Sequence, residues 1–347
     1  MEAVVIIIGV DAHKRSHTMV AIDEQGRALG ERTVQATTPG HHHAFRWARK
    51  SFGSELLWAV EDVRSLTVRL ERELIDAGHR VVRVPTHLMA RSRKTSRTPG
   101  KSDPIDALAV ARVALRESDL PVATHSPRTR QLKLLLDRRD DLLQYRTAAT
   151  QRLLWHLHEI DPTYEVKPGA LSWSTTQAAV ADMLTRHHGL VAEIAGEELW
   201  DVQDATPRIN ELQRRIGTVV RSAAPSLLEL HGCGPLTAAR IVGETADVGR
   251  FKSEAAFARW AGVAPIPDWS GTTRGQLRPF RGGNRQVNAA VHIIALTQIK
   301  KGAPGEQYYR QVRDRKGSHG AAFAALKRRV VRSIYTRLRA DRSLLSD

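Results

Sequence analysis

Acidic residues stand in this chain at spacings that suit phosphoryl-transfer chemistry. Asp11 closes the β-branched run Val4-Val5-Ile6-Ile7-Ile8-Gly9-Val10, and Glu61 closes Leu56-Leu57-Trp58-Ala59-Val60. Asp103 and Asp106 flank Pro104-Ile105. Pro104 suits a first helical turn, which sets both aspartates on one helix face. Carboxylates converging on one point repel strongly in a low dielectric, and bound divalent cations relieve that repulsion. Hard Mg²⁺ (or Mn²⁺) prefers oxygen ligands, and two such metals can activate an attacking oxygen and stabilise a leaving one.

Each acid also has a plainer reading. Asp103 to Asp106 fits a helix N-cap with a second acid in the first turn. Asp11 fits a strand-end turn, and Glu61-Asp62 a solvated loop. The joint pattern favours the metal site: an acid after the first strand, an acid after the fourth, and a pair on a later helix. His13 and His17 could assist a metal, although lone histidines more often serve packing or the surface. His41-His42-His43 reads as a solvated helix start with no role.

A second chemistry is carried by Ser270-Gly271, with Arg274, Arg278, Arg281 and Arg285 nearby in a glycine-containing stretch. A serine hydroxyl is a weak nucleophile unless something activates it and the phosphate charge is neutralised. Arginines supply bidentate phosphate clamps. Serine before glycine is also a common turn. Arg91, Arg93, Lys94, Arg97 and Lys101 lie in an acid-free stretch, which reads as a basic loop gripping a phosphate backbone or as solvated surface. Gly100-Lys101-Ser102 ends like a nucleotide-phosphate loop, but the first glycine of that motif would fall at Thr95, so that reading fails.

The elements that must position these residues divide the chain in three. Over 1–125, strands are expected at Val4–Val10, His17–Asp23, Arg27–Val34, Leu56–Val60 and Val81–Val84, with helices around His43–Lys50 and Leu66–Ala77. Hairpin-paired strands followed by strand–helix alternation give a mixed sheet covered on both faces, an RNase H-like α/β domain. Over 126–223, Arg128 to His158 is amphipathic without Gly or Pro and reads as a helical arm or dimerising coiled coil; packing within a monomeric bundle is the alternative. Asp161-Pro162 ends it, and further helices follow to Ala223. Residues 224–347 read as a mainly α domain. Its run Leu227 to Glu244 looks like a helix-hairpin-helix, in which Gly232 and Gly234 let a helix N-terminus approach a phosphate. Cys233 is then a hairpin residue, not a catalytic thiol.

The bulk numbers agree. In 347 residues, 41% are hydrophobic and 26% charged, an ordinary globular composition. A net charge of +16 draws polyanions, so nucleic acid leads the partner classes. The first apolar run is too short to span a bilayer and lacks the flanks of a signal peptide, so no membrane association is expected. A single cysteine excludes an internal disulfide framework and a cysteine zinc cluster, which fits a cytoplasmic location.

With these residues placed, the chain resembles the DEDD transposases of insertion-sequence family one hundred and ten, which includes the pilin-gene invertases. Ile8-Gly9-Val10-Asp11, Glu61 and Asp103-Pro104-Ile105-Asp106 match the family's RuvC-like acidic tetrad. Gly232-Cys233-Gly234-Pro235-Leu236-Thr237-Ala238, Gly262-Val263-Ala264-Pro265, Ser270-Gly271 and Gly282-Gly283-Asn284-Arg285 match its C-terminal transposase domain. The chain departs from the family after the glutamate, where Asp62-Val63-Arg64 replaces small residues and a glycine and adds Asp62 as a competing ligand. The resemblance implies recombination of donor and target DNA, with Ser270 forming a covalent link to DNA and Asp11, Glu61, Asp103 and Asp106 holding Mg²⁺. It further implies a composite site across a homodimer or homotetramer, guidance by a structured (bridge) non-coding RNA, and association with the nucleoid when acting. A RuvC-like structure-specific endonuclease, or an inactive relative that only binds nucleic acid, would share much of this pattern.

Overall fold

The structure, a computed structural model, describes residues 6–86, 88–89, 102–117, 120–124, 126–268, 270, 277–280 and 282–346. It divides into two compact units, Met1–His125 and Ser126–Asp347.

In the N-terminal unit, β1 (Ile6–Ala12), β2 (Ser16–Ile22) and β3 (Ala28–Gln35) form an antiparallel meander. β4 (Leu56–Glu61) and β5 (Arg80–Val84) add in parallel on the other side, giving the order β3-β2-β1-β4-β5. Helices α1 (Thr38–Phe52), α2 (Arg64–Asp76) and α3 (Asp103–Arg116) complete the unit. Strand alternation splits the core into two layers. Ile8, Val10, Met19, Trp58 and Val60 pack with Ala44, Phe45 and Leu70 of α1 and α2. Ile7, Val20, Ile22, Ala59 and Val82 pack with Ala107, Val110 and Ala111 of α3. The expected mixed sheet is present; β1 and β4 are nearly continuous apolar runs because both their faces are covered, whereas the edge strand β3 is polar and mostly exposed.

One expectation fails here. His41 is fully buried rather than solvated, with its Nδ1 2.6 Å from Glu73 Oε2 and its ring stacked on His17 at 5.1 Å. α1 begins earlier than its polar histidines advertise, capped by Thr37, whose hydroxyl accepts from Gly40 N–H. That start turns His41 inward, while His42 and His43 stay exposed.

The C-terminal unit is built on α4 (Pro127–Ile160) and α6 (Leu190–Ala223), 34 residues each, packed against one another. α5 (Ser174–Leu184) closes one end of the pair over a small core of Leu153, Leu157, Val180 and Leu199. At the other end, Leu132 and Leu136 of α4 and Ile209 and Ile216 of α6 share one core with the C-terminal helices. Those are α7 (Pro225–Leu228), α8 (Pro235–Thr245), α9 (Glu254–Trp260), α10 (Arg285–Gln298), α11 (Glu306–Lys316), α12 (His319–Ala340) and α13 (Arg342–Ser346). A small antiparallel pair, β6 (Pro265–Pro267) and β7 (Leu277–Pro279), lies between α9 and α10. Among the described residues, no helix is long and apolar enough to cross a membrane.

Candidate active site

The acidic residues of the N-terminal unit are positioned by two devices. The first is register. Val10 and Val60 are partners on the parallel strands β1 and β4, so Asp11 and Glu61, each one residue on, reach the same level of neighbouring strands. Alternation sends both to the face that α3 covers, the face of Ile7 and Ala59. The second device is Gly9. A Cβ there would lie 2.1 Å from the Ala107 carbonyl oxygen and 2.5 Å from the Ala111 nitrogen. Only glycine lets the α3 backbone settle on β1, and that close approach carries Asp103 and Asp106, in the first turn of α3, to the end of the strand. Ser102 occupies the N-cap position, so neither aspartate is spent on capping the helix.

His13 completes the cluster. It lies two residues beyond Asp11, hence on the same side of the chain, and its Nε2 is 3.0 Å from Asp11 Oδ2 and 3.3 Å from Asp103 Oδ1. One ligand atom from each of Asp11, His13 and Asp103 falls within 4.8 Å of the others. Asp11 is nearly buried, whereas Asp103 is about half exposed (51%). Burial raises the Asp11 pKa; His13 opposes that shift, and the charges of Asp106 and Asp103 add to it. These donors fit a divalent cation: a carboxylate strained by desolvation and like charges gains most from a positive ion. His13 is at the same time about half exposed (48%), and it stands in alternation with Gly9 and Asp11. Glu61 and Asp106 are half-buried.

In the C-terminal unit, Ser270 is exposed and lies between β6 and β7. The base of this hairpin is closed by glycines. A Cβ on Gly283 would meet the Gly262 nitrogen and the Trp260 carbonyl oxygen, both at 2.6 Å, and Gly283 has a φ of 91°. Asn284 then caps α10: its Oδ1 accepts from Val287 N–H at 2.9 Å, and its Nδ2 donates to Glu244 Oε2 at 2.8 Å. Glu244, buried on α8, also pairs with Lys133 Nζ at 3.1 Å. Burial works against the Lys133 charge, yet Asp137 and Glu244 hold its pKa above the ordinary value. No pattern in the sequence singles out Glu244; its network ties the glycine-rich segment to α4 and α8.

The arginines separate. Arg278, on β7, pairs with Asp268 at 3.3 Å, and Arg285 is exposed at the first residue of α10. Arg274 and Arg281 lie outside the described residues, as do Arg91, Arg93, Lys94, Arg97 and Lys101 of the expected basic loop. The expected helix pair around Gly232 and Gly234 has a first helix, α7, of a single turn. Gly232 has a φ of 87°, and a Cβ there would sit 2.9 Å from Thr297 Cβ, so packing against α10 alone requires glycine. Gly234, at the start of α8, is exposed and faces open space. Cys233 is buried and its thiol is pushed up to about 12 by burial, which suits a packing residue.

A mixed sheet with acids at adjacent strand ends and on a covering helix, followed by a mostly helical remainder, is consistent with a nuclease-like fold of the DEDD type. The family model for DEDD transposases of the IS110 type matches residues 8–162, and that for the transposase IS116/IS110/IS902 family matches residues 224–310. Among similar proteins are the 44.8 kDa protein of insertion element IS116 from Streptomyces clavuligerus (25% identical, covering 97% of this chain and 95% of the relative) and the 42 kDa protein of insertion element IS900 from Mycobacterium paratuberculosis (25%, covering 95% of each). The 43.6 kDa protein of IS110 from Streptomyces coelicolor is 23% identical over 97% of this chain and 95% of its own length. The chain belongs to the IS110/IS116 family of transposases, enzymes that cleave and rejoin DNA. Membership implies dependence on a divalent metal, which the Asp11, His13 and Asp103 cluster fits.

Proposed function

We propose that this transposase mobilises its own insertion sequence by serine-mediated strand exchange, guided by an RNA from the element. The observation that carries the metal-dependent part of the reading is the convergence of Asp11 and His13 with Asp103 of α3, the helix that Gly9 admits. Asp11, Glu61, Asp103 and Asp106 hold Mg²⁺ or Mn²⁺, and the metal supplies charge neutralisation at the reacting phosphate. Ser270 Oγ bonds to phosphorus as a strand oxygen leaves. The serine phosphodiester keeps the free energy of the broken bond, so rejoining needs no ATP. Arg274, Arg278, Arg281 and Arg285 clamp the phosphate that the serine attacks, and the basic stretch from Arg91 to Lys101 grips nucleic-acid backbone. Gly234, exposed at the start of α8, adds a helix-hairpin-helix backbone contact. The long α4–α6 pair serves assembly into a homodimer or homotetramer, with RuvC-like and C-terminal domains contributing to the same reaction.

A covalent-trapping assay tests this. Protein, flanking-element transcript, end-labelled junction DNA and Mg²⁺ are combined and resolved on a denaturing gel, beside Ser270→Ala and Asp11→Ala. The expected result is a protein–DNA adduct that is absent in both variants. Cleavage without an adduct, unchanged in Ser270→Ala, would overturn the serine assignment in favour of a water-using endonuclease.

A further inference from the structure

α12 carries Lys327, Arg328, Arg329, Arg332, Arg337 and Arg339 and no acidic residue. Its buried stripe, which includes Phe323, Leu326, Val330, Val331 and Ile334, fixes the helix rotation against the core. The opposite side therefore faces outward as a row of guanidinium groups. Along it runs an open cleft of about 660 Å³, walled by Tyr308 of α11 and Glu254 of α9.

Glu254 is the acid that lines this cleft, and its carboxylate is already held by both terminal nitrogens of Arg328. Arg329 and Arg332 remain exposed. The Arg329 guanidinium sits over the Tyr308 ring, 4.8 Å from its centre, which orients the plane and leaves its N–H edge for a bidentate acceptor. Ser333 adds a hydroxyl donor, and Arg337 lines the same cleft. Side chains three and four apart on a helix stand about 5–6 Å from each other, so this row matches a repeating anion better than a single small one.

We infer that the outer face of α12, with Tyr308 as its floor, is a cradle for a phosphodiester backbone, distinct from the Ser270 segment and the acidic cluster. The class of ligand follows from the chemistry: arginines oriented in a row, a hydroxyl donor, and no base-reading carboxylate left unpaired. Such contacts position a nucleic acid without reading its sequence. The backbone is that of duplex DNA, the polymer this transposase cleaves and rejoins, and the cradle does not depend on Ser270 being the nucleophile.

The test is binding by the full-length protein, without divalent metal, to a labelled DNA duplex and separately to a labelled RNA hairpin. Fluorescence anisotropy is followed between about 50 and 200 mM salt. The double variant Arg329→Gln/Arg332→Gln is compared with Arg186→Gln/Arg214→Gln, which removes the same charge at side chains 70% exposed elsewhere in the unit. Each lost phosphate contact lowers the slope of log affinity against log salt by about 0.9 for duplex DNA. The cradle variant is expected to lose roughly two such contacts and bind about tenfold more weakly at the higher salt, while the control keeps its slope. Loss on the DNA duplex supports the cradle, whereas loss confined to the RNA hairpin would overturn the assignment to DNA. Unchanged slopes for both nucleic acids, or an equal loss in the control pair, would overturn it. Arg329→Lys/Arg332→Lys should restore the slope, which separates lost contacts from misfolding. The assay contains no divalent metal and reads binding alone, so failure of the covalent reading and failure of the cradle remain distinguishable.

Discussion

Ionising Asp11 is costly because the carboxylate is nearly buried and faces Asp103 and Asp106, and the raised pKa expresses that cost. A raised acid pKa means that the folded state holds its proton more tightly than the unfolded chain. Ionised Asp11 thus lowers stability as the pH rises through its titration, unless a cation sits beside it. His13 is the one basic group shown in contact with both Asp11 and Asp103. Imidazole suits Mn²⁺ better than Mg²⁺, which favours oxygen donors. His13→Ala is therefore expected to weaken Mn²⁺ binding about tenfold or more, measured by calorimetric titration, with a smaller effect on Mg²⁺. Equal losses for both ions would instead make His13 a positioning residue for the carboxylates.

At the scale of elements, the site depends on how closely α3 lies on β1. Gly9→Ala places a methyl group against the Ala107 carbonyl and the Ala111 nitrogen, neither of which can yield without moving the helix. The expected outcome is a loss of roughly 1–3 kcal/mol in denaturant unfolding of this unit. DNA cleavage should fall much further, because Asp103 and Asp106 move with the helix. Cleavage retained at the parent level would show that the acids do not need this packing. The sheet itself was legible in the sequence, since buried strands write themselves as apolar runs such as Ile6 to Val10. The acids were legible because Asp11 and Glu61 end such runs. What Gly9 does was not, because its partner lies almost a hundred residues away and a glycine carries no pattern of its own. Burial of His41 was hidden by two solvated neighbours of the same type. The arginines of α12 matched no motif; only the fold gathers them with Tyr308 and Glu254 around one cleft.

For the whole molecule, two units with separate cores need not share one response to acid. The buried histidines among the described residues, His17 and His41, both belong to the N-terminal unit. His17 is 2% exposed, and burial, aided by the neighbouring His41, holds its pKa down to about 4 against a backbone hydrogen bond at Ser16. Unfolding releases it to ordinary behaviour near 6.5. Between those values the unfolded chain binds more protons than the folded one. The stability contributed by keeping His17 neutral is thus complete above pH 6.5 and lost as the pH falls toward 4, a change of roughly 3 kcal/mol. Hydrogen exchange read by mass spectrometry, corrected for intrinsic rates, should show protection in residues 6–86 falling between about pH 6.5 and 4.5, while α4 and α6 hold theirs. His17→Gln, neutral throughout, should flatten that fall whatever it does to absolute stability. Parallel loss in both units, unchanged in His17→Gln, would assign the acid response to carboxylates shared across the chain.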